Sequence, residues 1–284
     1  MSKVNFNVNA YTARLIGREN VATLNGAILE LVKNTYDADS SICILYYDDI
    51  DDNVYLIDNG CGMTENIIIN HWMTIGRSTK RNKYISKKGR VQTGAKGIGR
   101  FALDRIADFC EMLTINDNEK LLWKVNWKDF EGDNNITDIT AELDKTDINI
   151  KEFLKDVHND YVNQLINNVE FETGTIFKLS GLRDKWSEAR INKIMDNLRS
   201  LIPVNISKQF KIYTFCNKFN IDEAEVLVNA EDFNYDYKIT FKVTSDRALV
   251  SIYRNEFDLI NEFDKINMTL KEHNFEGFSE VDKK

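Results

Sequence analysis

The sequence predicts an α/β protein, and three observations predict it. Strand-like apolar runs and segments of helical spacing alternate along the 284 residues. Hydrophobic residues make up 43% of the chain and charged residues 29%, the balance of a protein with a buried core rather than a disordered one. No run approaches the roughly 18 apolar residues of a membrane-spanning helix. The opening MSKVNFNVNAYTARL lacks the continuous apolar stretch of a signal peptide, so the expected location is the cytoplasm.

The elements follow in order. Val4, Phe6, Val8 and Tyr11 alternate and suggest a short strand within an N-terminal arm over residues 1–20. Such an arm would lie at a sheet edge or fray. Val21, Leu24, Ala27, Ile28, Leu31 and Val32 have helical spacing over 21–36. ICILYY (42–47) and VYLID (54–58) read as strands across the acidic turn DDIDDN. Residues 65–74 read as a helix, 76–97 as a long loop, and 98–106 as a second helical run. Strands are expected at 109–115, 121–127 and near 136–142, a helix at 151–169, and a strand at 175–180. A helix over 187–202 ends before Pro203. Strands at 210–216, 238–244 and 248–253 complete the chain. The composition shift at 203–209 sets the expected boundary between a domain over 1–203 and an extension over 204–284.

Cys43, Cys61, Cys110 and Cys216 lack metal-ligand or redox spacing, and three histidines add no cluster in the sequence. Charge is more informative. The net charge is −8, yet residues 77–100 hold nine Lys/Arg and no acid. The remainder therefore carries −17, which disfavours a polyanion-binding surface over the whole protein and favours a local anion site.

Three strings carry chemistry. In ELVKNTYDA, residues 30–38, Glu30, Asn34 and Asp37 stand at i, i+4 and i+7 on one helical face. A carboxylate there can accept a proton from water, and a carboxamide oxygen can ligate Mg²⁺. A solvated polar stripe is the alternative. In DNGCGM, Asp58 closes a strand, and Gly60 and Gly62 allow a ligand to approach the backbone. A tight surface turn has the same letters. In GAKGIGRFA, Gly94, Gly97 and Gly99 open a helix whose amides form an anion nest, with charge from Lys96 and Arg100. No buried strand precedes it and no Gly-Lys-Ser/Thr closes it, so neither the dinucleotide fingerprint nor the Walker loop fits.

Taken together in this order, the strings resemble the GHKL ATPases: DNA gyrase B, the heat-shock-ninety chaperones, histidine kinases, MutL and MORC. The likeness covers about residues 20–182 and includes Gly174-Thr175 opening a late strand. The wording of the lid is nearest the MORC-like and prokaryotic chaperone-like members. The resemblance implies a Bergerat fold, an α+β sandwich whose mostly antiparallel mixed sheet is covered by helices on one face, with ATP between helices and lid. It implies that Glu30 is the general base and that Asn34 ligates Mg²⁺. It implies that Asp58, supported by Thr175, takes the adenine amino group in a pocket shaped by Gly60, Gly62 and Met63. Amides at Gly97, Ile98, Gly99, Arg100 and Phe101 would cradle phosphates, and Lys80 would approach them from the lid.

The implied activity is slow, Mg²⁺-dependent ATP hydrolysis that drives lid closure and homodimerisation. The effector would be a protein or DNA, with no membrane. Two alternatives remain. A histidine kinase would carry a phosphoacceptor histidine upstream of Glu30, and none precedes it. A switch that binds ATP without hydrolysing it would not need Glu30.

Overall fold

The computed structural model describes residues 7–19, 21–76, 85–92, 99–169, 171–199, 209–219, 221–226, 237–243, 247–254 and 271–274. The chain divides into two units, Met1–Asn229 and Ala230–Lys284.

The first unit is built on an eight-stranded sheet. Its strands are β1 (Ile42–Asp48), β2 (Asn53–Asp58), β3 (Ala107–Ile115), β4 (Lys120–Asn126), β5 (Glu142–Lys145), β6 (Gly174–Leu182), β7 (Lys211–Cys216) and β8 (Ile221–Val226). They lie in the order β5-β4-β3-β6-β2-β1-β7-β8. Among the described strands of this sheet, β1 and β7 alone pair in parallel and the other neighbouring pairs are antiparallel. The sheet is therefore mixed and mostly antiparallel, as the resemblance implies.

Helices α1 (Ala10–Glu19), α2 (Leu24–Asp37), α4 (Phe101–Ile106) and α7 (Glu188–Arg199) frame the larger core. Thr23 starts α2 by accepting the Gly26 N–H at 3.1 Å. Leu24, Ala27, Ile28, Leu31 and Val32 then bury its apolar face. The opposite face of the sheet is also covered, against the expectation of helices on one face. There α5 (Ile150–Phe153) and α6 (Asp160–Asn168) form a second core with Ile44, Tyr46, Tyr55, Ile57 and Leu113. Strand β1 shows why. Cys43, Leu45 and Tyr47 enter one core and Ile44 and Tyr46 the other, so all seven of its residues are buried. In β4, Leu121, Trp123 and Val125 are buried and alternate with partly exposed residues, because only one face is packed.

Several expected elements change. Of the residues expected in an N-terminal strand, Val8 has no regular structure and Tyr11 lies in α1, which is entered through Asn9, whose Oδ1 accepts the Tyr11 N–H at 2.8 Å. Val4 and Phe6 lie outside the described residues. The helix expected over 65–74 is one turn, α3 (Glu65–Ile67), followed by a wider π-turn over Ile68–Trp72. The strand expected near 136–142 lies later, at β5, and Ile136–Asp138 form a 3₁₀ turn whose Ile136 N–H donates to Val8 O at 3.0 Å. The helix over 151–169 breaks in two where Asn159 caps α6 by accepting the Val162 N–H at 2.8 Å.

The boundary expected at 203–209 falls elsewhere. Strand β7 pairs with β1 over six residues, so the sheet of the first unit continues past that point. The second unit holds β9 (Tyr237–Val243), β10 (Arg247–Arg254) and β11 (Lys271–Asn274), an antiparallel sheet in the order β11-β10-β9. Strands β8 and β11 have no counterpart in the sequence reading.

Buried charge ties α1 to the core. Asp104 on α4 is fully buried and accepts from Arg14 at 2.8 Å, Arg18 at 2.9 Å and Arg183 at 3.1 Å. Glu131 adds a second acceptor for Arg14 at 2.8 Å, which holds that guanidinium charged despite burial.

Candidate functional site

Helix α2 carries the site along its length. Glu30 and Asn34 are one turn apart, and both are partly exposed. Gly99, at the entry to α4, sits against them: a Cβ added there would lie 3.2 Å from Glu30 Oε1 and 3.3 Å from Asn34 Nδ2. The structure therefore brings the carboxylate, the carboxamide and the backbone of the glycine string together. A Cβ there would press on both side chains, so glycine eases that approach.

Farther along α2, at its C-terminal end, the Asp58 loop closes on the helix. Cys61 N–H donates to Ala38 O at 2.9 Å. Gly60 is packed so closely that a Cβ would meet Ala38 O at 2.7 Å. Gly62 has φ of 62°, and its Cβ would fall 2.0 Å from Ile115 O. Ala38 is eight residues past Glu30, so the two ends of the site are separated by about 12 Å along the helix.

Asp58 is buried at 4% exposure. Its Oδ1 accepts the Gly60 N–H at 2.8 Å, and the Thr175 N–H also supports its carboxylate. Burial outweighs these donors and pushes its carboxyl up to about 7. Thr175 pairs with Asp58 across β2 and β6. Its hydroxyl lies 3.1 Å from that of Thr114. Thr114 in turn accepts the Met63 N–H at 2.8 Å, and Asn116 Nδ2 donates to Met63 O at 2.8 Å. Thr173 donates to Gly60 O at 2.7 Å. Thr114, Asn116 and Thr173 are thus the supports of the Asp58 loop that the sequence reading missed. A buried threonine inside the apolar run MLTI is the one signal for Thr114.

Other expected residues fare differently. Lys80, Gly94, Lys96, Gly97 and Ile98 lie outside the described residues. Asp37 is buried, and its carbonyl accepts from Gln92 Nε2 at 2.7 Å. The Arg100 guanidinium donates to His71 O at 2.9 Å and Thr74 O at 3.2 Å, and it stands over the Trp72 ring. Burial lowers its pKa to about 10. Its side chain therefore braces the π-turn. The Phe101 side chain is core, packed on Trp127 and Phe130.

The described part of the basic segment is anchored rather than loose. Arg90, 7% exposed, donates to Tyr36 O at 3.1 Å, Ser40 O at 2.6 Å and Gln209 O at 3.0 Å. It also stands 4.6 Å over the Tyr36 ring. A cation at the end of α2 satisfies carbonyls at the negative end of the helix dipole. Asp39, at φ 63°, accepts the Ser86 hydroxyl and the Lys88 N–H. Residues 85–92 are thereby fixed to the helix that carries Glu30 and Asn34.

The donor set fits a nucleotide with Mg²⁺. Asn34 offers a hard oxygen of the kind Mg²⁺ takes, Glu30 a carboxylate that can accept a proton, and Asp58 a buried acceptor for an amino group. No helix among the described residues is long and apolar enough to cross a membrane. No curated protein matches the chain significantly. A family model described as "Histidine kinase-, DNA gyrase B-, and HSP90-like ATPase" matches residues 22–159. That span holds Glu30, Asn34, Asp58, the glycine string and the supports at Thr114 and Asn116. Residues 22–159 are thus similar to the histidine kinase-, DNA gyrase B- and HSP90-like ATPases.

Proposed function

We propose that the protein binds ATP with Mg²⁺ between α2 and the 76–97 segment and hydrolyses it slowly. The placement of Gly99 against both Glu30 and Asn34 carries the reading. Asp58 accepts the adenine amino group, with Thr175 behind it, while Gly60, Gly62 and Met63 shape the wall. Asn34 would hold Mg²⁺, which would neutralise charge on the phosphates. Lys80, Gly94, Lys96 and the amides of Gly97 through Phe101 complete the phosphate side. Glu30 takes a proton from the water that attacks the γ-phosphorus, and the bond to the ADP oxygen breaks. Such transfer depends on positioning and charge neutralisation more than on covalent help. Closure of the basic segment and pairing of two copies complete the cycle, and the effector is a protein or DNA. Glu30 favours hydrolysis over a switch that only binds.

The test is the thermal midpoint with a non-hydrolysable ATP analogue and Mg²⁺, combined with phosphate release. At 100 times its dissociation constant the analogue adds about 2.7 kcal/mol to the native state. Wild type should shift upward and Asp58→Asn should not. Glu30→Ala should shift like wild type and lose at least about 100-fold in turnover. A missing shift in wild type rejects nucleotide binding, and full turnover in Glu30→Ala rejects the base.

A further inference from the structure

A second cluster of metal-ligating side chains lies at the turn joining β1 and β2. Asp48 Oδ2 is 3.3 Å from His158 Nδ1, and Asp51 Oδ2 is 3.9 Å from the same nitrogen. One ligand atom from each residue lies within 4.8 Å of the others. Asp48 is fully buried, whereas the side chains of Asp51 and His158 are about half exposed. The Ile50 N–H donates to Asp48 Oδ1 at 3.1 Å, which leaves Oδ2 toward the imidazole.

A second observation points to a ligand. Tyr46 and Asp48 are two apart on β1 and share a face of the sheet. The Tyr46 hydroxyl neighbours the Asp48 carboxylate. It is fully buried and has no hydrogen-bond partner of good geometry. A carboxylate buried beside Tyr46 and Tyr55 is costly unless a cation compensates it. The position of His158 is fixed independently. Asn217 Nδ2 donates to His158 O at 2.7 Å, Asn159 donates to Asn217 Oδ1, and the Lys218 N–H donates to Asp49 Oδ1 at 3.1 Å.

We propose that Asp48, Asp51 and His158 bind a divalent cation of the zinc type. An imidazole with two carboxylates suits borderline cations, whereas Mg²⁺ and Ca²⁺ prefer oxygen alone. Bonds of about 2.0–2.2 Å in a tetrahedron put donor atoms about 3.3–3.6 Å apart. The His158–Asp48 pair already has that spacing. The exposed Asp51 side chain reaches it by moving about an ångström. Three protein ligands leave one position to water. The cation pins the β1–β2 turn to the segment before α6, joining Asp48 and His158 across 110 residues of chain. The ion is structural and lies outside the Glu30–Asp58 site.

The test uses the full chain, stripped by a chelator and free of nucleotide, titrated with ZnCl₂ against a chromophoric competitor. One zinc per chain should bind, raising the thermal midpoint by about 5 °C at saturation. Asp51→Asn, a change at an exposed side chain, and His158→Gln should each weaken binding at least ten-fold. Cys61→Ser should bind like wild type, which excludes the exposed thiol as the ligand. Co²⁺ should give a visible absorption band in wild type that His158→Gln lacks. Zinc binding weaker than ~100 µM in wild type would overturn the site. So would unchanged binding in both Asp51→Asn and His158→Gln.

Discussion

Replacing Asp58 by asparagine separates its burial from its charge. In the unfolded chain an aspartate titrates near 3.9, whereas burial pushes Asp58 up to about 7 in the fold. Between these values the folded protein holds a proton that the unfolded chain has lost. The stability that this proton brings is complete below about pH 3.9 and is lost as pH rises through about 7. One proton changes stability by at most about 1.36 kcal/mol per pH unit. From pH 5 to pH 8 the loss sums to about 2–3 kcal/mol. Asparagine keeps the Oδ1 acceptor for the Gly60 N–H and does not titrate. Urea denaturation of nucleotide-free wild type and Asp58→Asn at pH 5, 6.5 and 8 isolates the effect, because titrations elsewhere cancel in the difference. The variant should gain on wild type by about 2–3 kcal/mol between pH 5 and pH 8. A difference that stays constant to within ~0.5 kcal/mol would refute a buried, proton-holding Asp58.

Gly62→Ala should cost more than about 2 kcal/mol in urea denaturation and abolish the nucleotide-analogue shift, because its Cβ meets Ile115 O at 2.0 Å and its φ is 62°. Arg90→Ala should lower stability by about 2–4 kcal/mol, with three backbone carbonyls losing a charged donor, and Arg90→Lys should recover less than half. Asp104→Asn should cost about 3–5 kcal/mol in the same assay, since Arg14, Arg18 and Arg183 then face one another without their shared carboxylate.

The strings that name the site were legible because each is local. Glu30 and Asn34 need only the helix of residues 21–36 to share a face. The apolar run of β1 and its turn to β2 likewise follow from nearest neighbours. Elements stabilised by distant partners were not legible. Helix α1 has no counterpart in the reading of residues 1–20 as an arm, because Arg14 and Arg18 find their acid in Asp104, 90 and 86 residues away. Asn135 and Ile136 meet the backbone at Val8 and Asn9, which no pattern in 136–142 announces. The boundary drawn at Pro203 missed β7 because its partner is β1, far earlier in the chain, and parallel pairing leaves no turn signal to read.

The sequence by itself determined the chemistry of the helix face and of the Asp58 loop, because residue type and spacing set what those groups can donate or accept. Only the tertiary structure decided the rest. It put Gly99 on Glu30 and Asn34, tied residues 85–92 to the end of α2 through Arg90, and buried Asp58 deeply enough to move its proton. It also gathered Asp48, Asp51 and His158 from two distant segments. Each of these depends on which surfaces exclude water together, and that is settled by packing between segments rather than by order along the chain.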